Sequence, residues 1–469
     1  MPGAKVGGVG DVVRSLPVAL AERGWRPAVL VPSYGSLHNL PGARLQAEFA
    51  VDFAGAARQA RLWRVPGPDP RVEQLVVDHP LLAPQGPGQV YCHDDDSQPF
   101  ATDATKFAFF CAALGEYLLC AERLPQIVHL HDWHTGLYLA LRAAVPRLAR
   151  LREVRTVYTI HNLAMQGIRP VAGHASALRS WFPDIDFDMR SLQDPRYLDC
   201  INPMAIGIRM ADAVNTVSPT YAREILRPSE PALGFFGGEG LEADLQEAHA
   251  AGRLTGILNG CDYPPRPRRR PGWQRLVAAM AAQVQSWQQA APHPASAAAL
   301  ERLTRLPRRR PAAVLVSVGR LTPQKVQLFL QADPAGNRAI DTILQRLGAC
   351  GVMLMLGSGD AGLEAEFSAL MGSRPNFVFL RGYSAALSEQ LYSAGDLFLM
   401  PSSFEPCGIS QMFAMRAGQP CVVHGVGGLA DTVDDGRTGF VFGGTTPAVQ
   451  AEQFIAAVDR AVEMKRSAP

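Results

Sequence analysis

The chain has 469 residues, 47% hydrophobic and 19% charged, which is enough apolar material for two or three domains and too much for a disordered chain. With 45 Lys and Arg against 43 Asp and Glu the formal net charge is +2, so no strong field argues for a nucleic-acid or membrane partner. The eight cysteines stand singly, without C-x-x-C or zinc spacing and with no secretory h-region ahead of them, which fits a reducing cytoplasm.

The chain opens on "KVGGVGDVV", Lys5 to Val13, a glycine loop of the kind that follows a strand and opens an anion-holding helix. The residues ahead of Lys5 are too few to supply that strand. Short apolar runs then alternate with longer amphipathic stretches, the βαβ rhythm of parallel sheets covered by helices. Strands are predicted in "PAVLVPSY", "QIVHLHD", "RTVYTIHN", "AVNTVSP" and "LTGILNG". Residues 262–312 are rich in Pro, Arg, Ala and Gln, carry one predicted helix ("WQRLVAAMAAQVQSWQQA") and no convincing strand; they read as a junction between domains at 1–261 and 313–469. The basic "RPRRRP" (266–271) and "RLPRRRP" (305–311) read as solvated linker. Strands resume in "AAVLVSVG", "VMLMLGSG", "FVFLRGY", "DLFLMP" and "PCVVHG", all far too short to span a bilayer. The expected fold class is α/β, with two doubly wound Rossmann-like domains whose strand ends face one another across a cleft.

Most residues with chemical potential fall at strand ends. "HLHDWHTG" places His131, Asp132 and His134 in a turn; a metal on the two histidines lacks a third ligand at a useful spacing, and a hydrogen-bonding cluster is the favoured reading. "TIHNLAMQG" leaves His161 and Asn162 at the end of a buried strand, where a polar pair is costly unless satisfied or used. "SVGRLTPQK" sets Arg320 and Lys325 on one Pro-containing turn, and two converging cations are what a diphosphate leaving group requires. In "MPSSFEPCGISQMFAMRAG" a helix is predicted from Pro406 to a stop at Gly418, aiming N–H groups near Cys407 and Gly408 at an anion; Glu405, just ahead, is placed to accept from sugar hydroxyls. Cys407 lacks an evident base and reads as a small residue near phosphate, not a nucleophile. "GGVGDVV" read as a dinucleotide loop lacks the third glycine and the preceding strand, and "HDDDS" (93–97) reads as a solvated acidic turn, not a metal-binding D-x-D.

Taken together, "KVGGVGDVV", "HLHDWHTG", "TIHNLAMQG", "INPMAIGIRMADAVNTVSPTYAREI", "GILNGCDY", "GRLTPQK", "SSFEPCGISQ" and "VGGLADTV" occur in the order and approximate spacing of the bacterial glycogen synthases, which are similar to plant starch synthases. The resemblance spans nearly the whole chain. It implies a GT-B fold and a retaining, metal-independent and cofactor-free transfer of glucose from ADP-glucose to the non-reducing end of an α-1,4-glucan such as glycogen. It assigns Lys5, Gly7, Gly8 and Asp11 to a loop over the nucleotide-sugar, and Asp132, His161 and Asn259 to the sugar site. Arg320 and Lys325 hold the diphosphate, Tyr383 lies near the adenine, Glu405, Cys407 and Gly408 complete the donor site, and Gly427 and Gly428 supply backbone groups. Alternatives of other classes are a GT-B-like binder of glucan or nucleotide with impaired turnover, and a related transferase using UDP-glucose.

The sequence departs from the family pattern at Val6 (usually Thr), Val326 (often Gly) and Ser403 (often Arg). Family members also carry a strand ahead of the first glycine loop and a segment beyond the last helices. With a start at "MPGA" and an end at "VEMKRSAP", the expectation is a first domain lacking its first strand, with exposed strand edges.

Overall fold

The computed structural model describes residues 7–95, 98–263 and 270–467. The chain divides into two compact units: unit 1 holds 1–217, 225–228 and 238–257, and unit 2 holds 218–224, 229–237 and 258–469.

Unit 1 opens with helix α1 (Gly7–Glu22), followed by β1 (Ala28–Pro32), β2 (Arg44–Phe53), β3 (Ala56–Arg64) and β4 (Glu73–Asp78). Helix α2 (Ala101–Cys120), β5 (Ile127–His131), helix α3 (Trp133–Ala144) and β6 (Arg155–Ile160) come next. A small ribbon of β7 (Arg169–Pro170) and β8 (Cys200–Ile201) precedes β9 (Ala213–Thr216) and β10 (Leu254–Gly256). Among the described residues these strands form two separate four-stranded sheets, ordered β1-β4-β3-β2 and β10-β9-β6-β5. The second is wholly parallel, whereas β2 and β3 form an antiparallel hairpin, turned at Ala54 and Gly55, which both take positive φ. Two glycines set the layer over the second sheet. A Cβ at Gly136 would lie 1.9 Å from the Pro203 carbonyl oxygen, and one at Gly207 would lie 2.1 Å from the Tyr158 ring. Side chains there would push α3 and the helix Pro203–Met210 out of contact.

Unit 2 carries β11 (Ala313–Val318), β12 (Gly351–Gly357), β13 (Phe377–Arg381), β14 (Leu397–Met400), β15 (Cys421–His424) and β16 (Gly439–Phe442). They form one parallel six-stranded sheet in the order β13-β12-β11-β14-β15-β16. Every residue of β11 and β12 is buried, as expected of central strands covered on both faces.

The expected junction at 262–312 is organised differently. Its described part contains two helices, Trp273–Ala290 and Pro294–Thr304, whose Leu276, Met280, Val284 and Leu303 belong to the core of unit 2. Their apolar residues recur at helical spacing, so burial against β13 and its neighbours outweighs the linker-like composition. No helix among the described residues is long and apolar enough to cross a membrane.

Candidate active site

The chemistry-bearing residues form one cluster in each unit. In unit 1, β5 and β6 run parallel with His131 opposite Thr159, so the residues that follow leave the sheet side by side. Asp132 has φ 52° and ψ −173°, a backbone region that non-glycine residues rarely occupy. Its Oδ1 accepts the backbone N–H groups of His161 at 2.7 Å and Asn162 at 3.4 Å. The Asp132 carboxylate therefore ties the end of β6 to the end of β5. Burial raises its pKa to about 7, against the lowering effect of those two amides.

Around it lies a chain of buried imidazoles. His161 Nε2 is 3.0 Å from His131 Nδ1, and His131 stacks on His129 with ring centroids 4.4 Å apart. His129 meets the Thr159 hydroxyl at 2.6 Å, and that hydroxyl donates to Asn215 Oδ1. Burial, then neighbouring imidazoles, pushes His161 down to about 3 and His131 well below its ordinary value, while burial alone brings His129 to about 4. These rings are neutral at physiological pH. His161 thus offers a hydrogen-bonding ring without a charge, and among the described residues no group of three or more His, Cys, Asp or Glu is placed to hold a metal ion.

In unit 2, the loop after β11 carries the exposed Arg320 into the helix Pro323–Leu330, where Lys325 lies. The Lys325 ammonium bonds the Glu405 carboxylate, which also accepts from the Ser402 hydroxyl at 3.1 Å. Gln324 locks the two loops together: its carbonyl accepts from Ser403 N–H at 2.8 Å and its side-chain amide donates to the Phe404 carbonyl at 2.9 Å. Val326 is buried on the inner face of this helix.

The turn after Glu405 differs from expectation. The helix begins at Ser410, not Pro406, because Gly408 takes φ +74° and breaks helical continuation. Cys407 and Gly408 therefore lie in the turn, and the anion site expected at a helix start there is not formed by that helix. Burial pushes the Cys407 thiol to about 12, and the Asn259 backbone amide hydrogen-bonds it, so the sulfur is an inert packing group. Asn259, grouped by resemblance with Asp132 and His161, stands beside Cys407.

Gly427 and Gly428 are required by close approach. A Cβ at Gly427 would lie 2.0 Å from the Glu405 carbonyl oxygen, and one at Gly428 would lie 2.3 Å from Cys407 Cα. Their N–H groups have acceptors within the unit. Gly427 donates to the Glu224 carboxylate at 3.0 Å and Gly428 to the Glu405 carbonyl at 3.0 Å. Glu224 belongs to a brace that sequence reasoning missed: Ser218 donates to the Pro406 carbonyl at 2.6 Å, and Thr220 donates to Asp431 through N–H at 2.8 Å and hydroxyl at 2.7 Å. The only signal for it was its place inside "NTVSPTYAREI".

Residues 1–247 match the family model of the starch synthase catalytic domain, and 312–463 match that of group 1 glycosyl transferases. A glycogen synthase of Anaeromyxobacter dehalogenans (strain 2CP-1) is 36% identical over 474 residues, covering 99% of this chain and 90% of that protein. The chain belongs to the glycogen synthase family. Another relative, the glycogen synthase of Paracoccus denitrificans, is 36% identical over 96% of this chain and 86% of its own length. The solved catalytic domain of starch synthase IV from Arabidopsis thaliana, bound to ADP and acarbose, superposes with a TM-score of 0.76 at 27% identity, covering 100% of this chain and 90% of that one.

Family membership makes the chain a glycosyltransferase and its fold GT-B. Of the residues assigned by resemblance, Asp132 and His161 meet in unit 1, and Lys325, Glu405, Cys407, Gly408, Gly427, Gly428 and Asn259 gather in unit 2. Tyr383 follows β13 at the edge of the unit 2 sheet and is 63% exposed, a ring with an open face. Lys5 lies outside the described residues. Gly7 opens α1, so Gly8 and Asp11 sit within a helix, not in a loop.

Proposed function

We propose that the chain extends an α-1,4-glucan at its non-reducing end with glucose from ADP-glucose, retaining the anomeric configuration. The observation that carries this reading is the Lys325–Glu405 pair on the segments that follow β11 and β14, with Arg320 exposed on the loop ahead of the Lys325 helix. A preorganised ammonium and a guanidinium suit a diphosphate whose charge grows as the glycosidic bond breaks, and an adjacent carboxylate suits sugar hydroxyls. These cations replace a metal ion in the proposal. Retaining transferases often use a second carboxylate as nucleophile. Here the attack is front-face, with the departing phosphate taking the acceptor's proton, and the protein contributes orientation and charge stabilisation. The neutral His161 ring steadies the glucose without adding positive charge near an oxocarbenium-like carbon. ADP and acarbose in the Arabidopsis relative support an adenine donor and a glucan acceptor. The eight free cysteines support a cytoplasmic setting.

The deciding experiment follows nucleoside diphosphate release with glycogen and either ADP-glucose or UDP-glucose. Faster release from ADP-glucose is expected; a UDP preference reassigns the donor. Release from neither favours a second reading, a binder with impaired turnover, for which the half-buried α1 ahead of the unit 1 cluster is the supporting observation.

A further inference from the structure

The turn at 405–408 is held at every carbonyl. The Glu405 carbonyl accepts from Gly428 N–H at 3.0 Å, and the Pro406 carbonyl accepts from the Ser218 hydroxyl at 2.6 Å. The next two carbonyls go to one side chain: Gln411 Nε2 donates to Cys407 O at 3.0 Å and to Gly408 O at 3.1 Å. The same nitrogen lies 3.2 Å from the Thr432 hydroxyl, which donates to the Gly428 carbonyl at 2.6 Å. Gln411 therefore also ties the turn to the helix Gly427–Thr432.

This side chain is kept at a cost. Gln411 is fully buried, and its Oε1 has no hydrogen-bond partner among the described residues. Turning the amide over would not help, since Oε1 would then face two carbonyls. A buried carbonyl oxygen without a donor is destabilising, and an apolar side chain would avoid the loss. What glutamine alone supplies here is the NH₂ group.

The consequence lies on the other side of the turn. No cis peptide occurs among the described residues, so each N–H points away from the carbonyl of its own peptide plane. With the Cys407 and Gly408 carbonyls drawn to one nitrogen, the N–H groups of Gly408 and Ile409 are directed away from it, and neither has an acceptor among the described residues. Gly408 at φ +74° is followed by Ile409 at φ −125°, ψ −27°, and successive residues of opposite hand form a concave, anion-binding nest. Gly408 and Ile409 are partly exposed, and the Lys325 charge is close enough to be felt at the Cys407 thiol.

We propose that Gln411 is a positioning residue of the transfer reaction: by holding two carbonyls back, it fixes the Gly408 and Ile409 N–H groups as preorganised donors to the diphosphate as its charge grows. The inference rests on the transferase reading. Gln411 acts on the diphosphate end of the donor only, so its loss separates ADP from adenosine.

The test uses Gln411→Leu, which removes the donor, and Gln411→Glu, which keeps the size and turns the NH₂ into an acceptor. Turnover is followed with glycogen and ADP-glucose, and ADP and adenosine binding are measured on the same proteins by ligand-detected NMR titration. Both variants are expected to lower kcat about a hundredfold and to weaken ADP about tenfold, with the glycogen KM and the adenosine Kd changed by less than about twofold. Turnover and ADP affinity equal to those of the unsubstituted chain overturn the inference. So does an equal loss of ADP and adenosine affinity, which marks a general disturbance of the unit. If the unsubstituted chain neither binds ADP nor transfers glucose, the transferase reading fails and this inference with it.

Discussion

Unit 2 closes its sheet around β11, whereas among the described residues β1 of unit 1 pairs on one side only. The two strands are spelled almost alike, "AVLVSV" and "AVLVP", and both carry the unbroken apolar run of a strand meant for cover on two faces. β11 is buried throughout; β1 is half-exposed over Val29, Leu30 and Val31. A run of this kind specifies the environment a strand needs, and the neighbours decide how much of it is met. The division extends to the chemistry, since unit 2 presents cations and a carboxylate while unit 1 presents neutral imidazoles behind a buried carboxyl.

The comparison breaks most sharply at Lys325. Lys325→Met is expected to lower kcat by about two to three orders of magnitude, roughly 3–4 kcal/mol of transition-state stabilisation, in a protein that still shows a cooperative urea transition. Near-normal turnover would remove the unit 2 cation from the reaction. Next comes packing. Leu354→Ala, at a fully buried β12 position, should cost about 2–5 kcal/mol, and Leu30→Ala on the half-buried β1 about 1 kcal/mol, both read from urea midpoints. Equal losses would mean that β1 is as well packed as the centre of unit 2.

Acid provides a third comparison. His129, His131, His134 and His161 in unit 1 are held below the ordinary 6.5, at about 4 for His129 and about 3 for His134 and His161. Their contribution is present above 6.5 and lost as pH falls through the folded values, because the unfolded chain takes up protons first. Asp132 acts oppositely: its pKa of about 7 means its contribution is full below the ordinary 3.8 and lost as pH rises through 7. Four groups outweigh one between pH 6.5 and 4, whereas in unit 2 His424 is the histidine similarly depressed by burial. Hydrogen exchange should therefore find unit 1 opening first on acidification; simultaneous opening would refute the ordering. The smallest expected effect is that of chelation. EDTA should leave glucose transfer unchanged, and a loss restored by Mg²⁺ would contradict the role given to Arg320 and Lys325.

Most of the parallel strands were legible because each is a short apolar run ending in a polar turn; β16, "GFVF", was not among those predicted. β2, β3 and β4 were not, because β2 and β3 keep one side toward solvent and their turn at Ala54–Gly55 lacks an Asn-Gly or Asp-Gly signal. Asp132, His161, Lys325 and Glu405 could be read from their strand-end positions. The true helix start at Ser410 could not, since it depends on the conformation of Gly408, where a Cβ would lie 2.4 Å from Gln411 Oε1. The Glu224 brace depends on a contact across 203 residues of chain, which no local pattern encodes.

The backbone of Asp132 sets function against robustness. Holding a non-glycine residue at φ 52°, ψ −173° costs about 1–3 kcal/mol, which the fold supports for the sake of the carboxylate that secures His161. Asp132→Gly should relax that strain while releasing the His161 amide, and Asp132→Asn should keep the strain and one acceptor oxygen. If the glycine variant is the better folded and the poorer catalyst of the two, selection at this position has favoured turnover over durability.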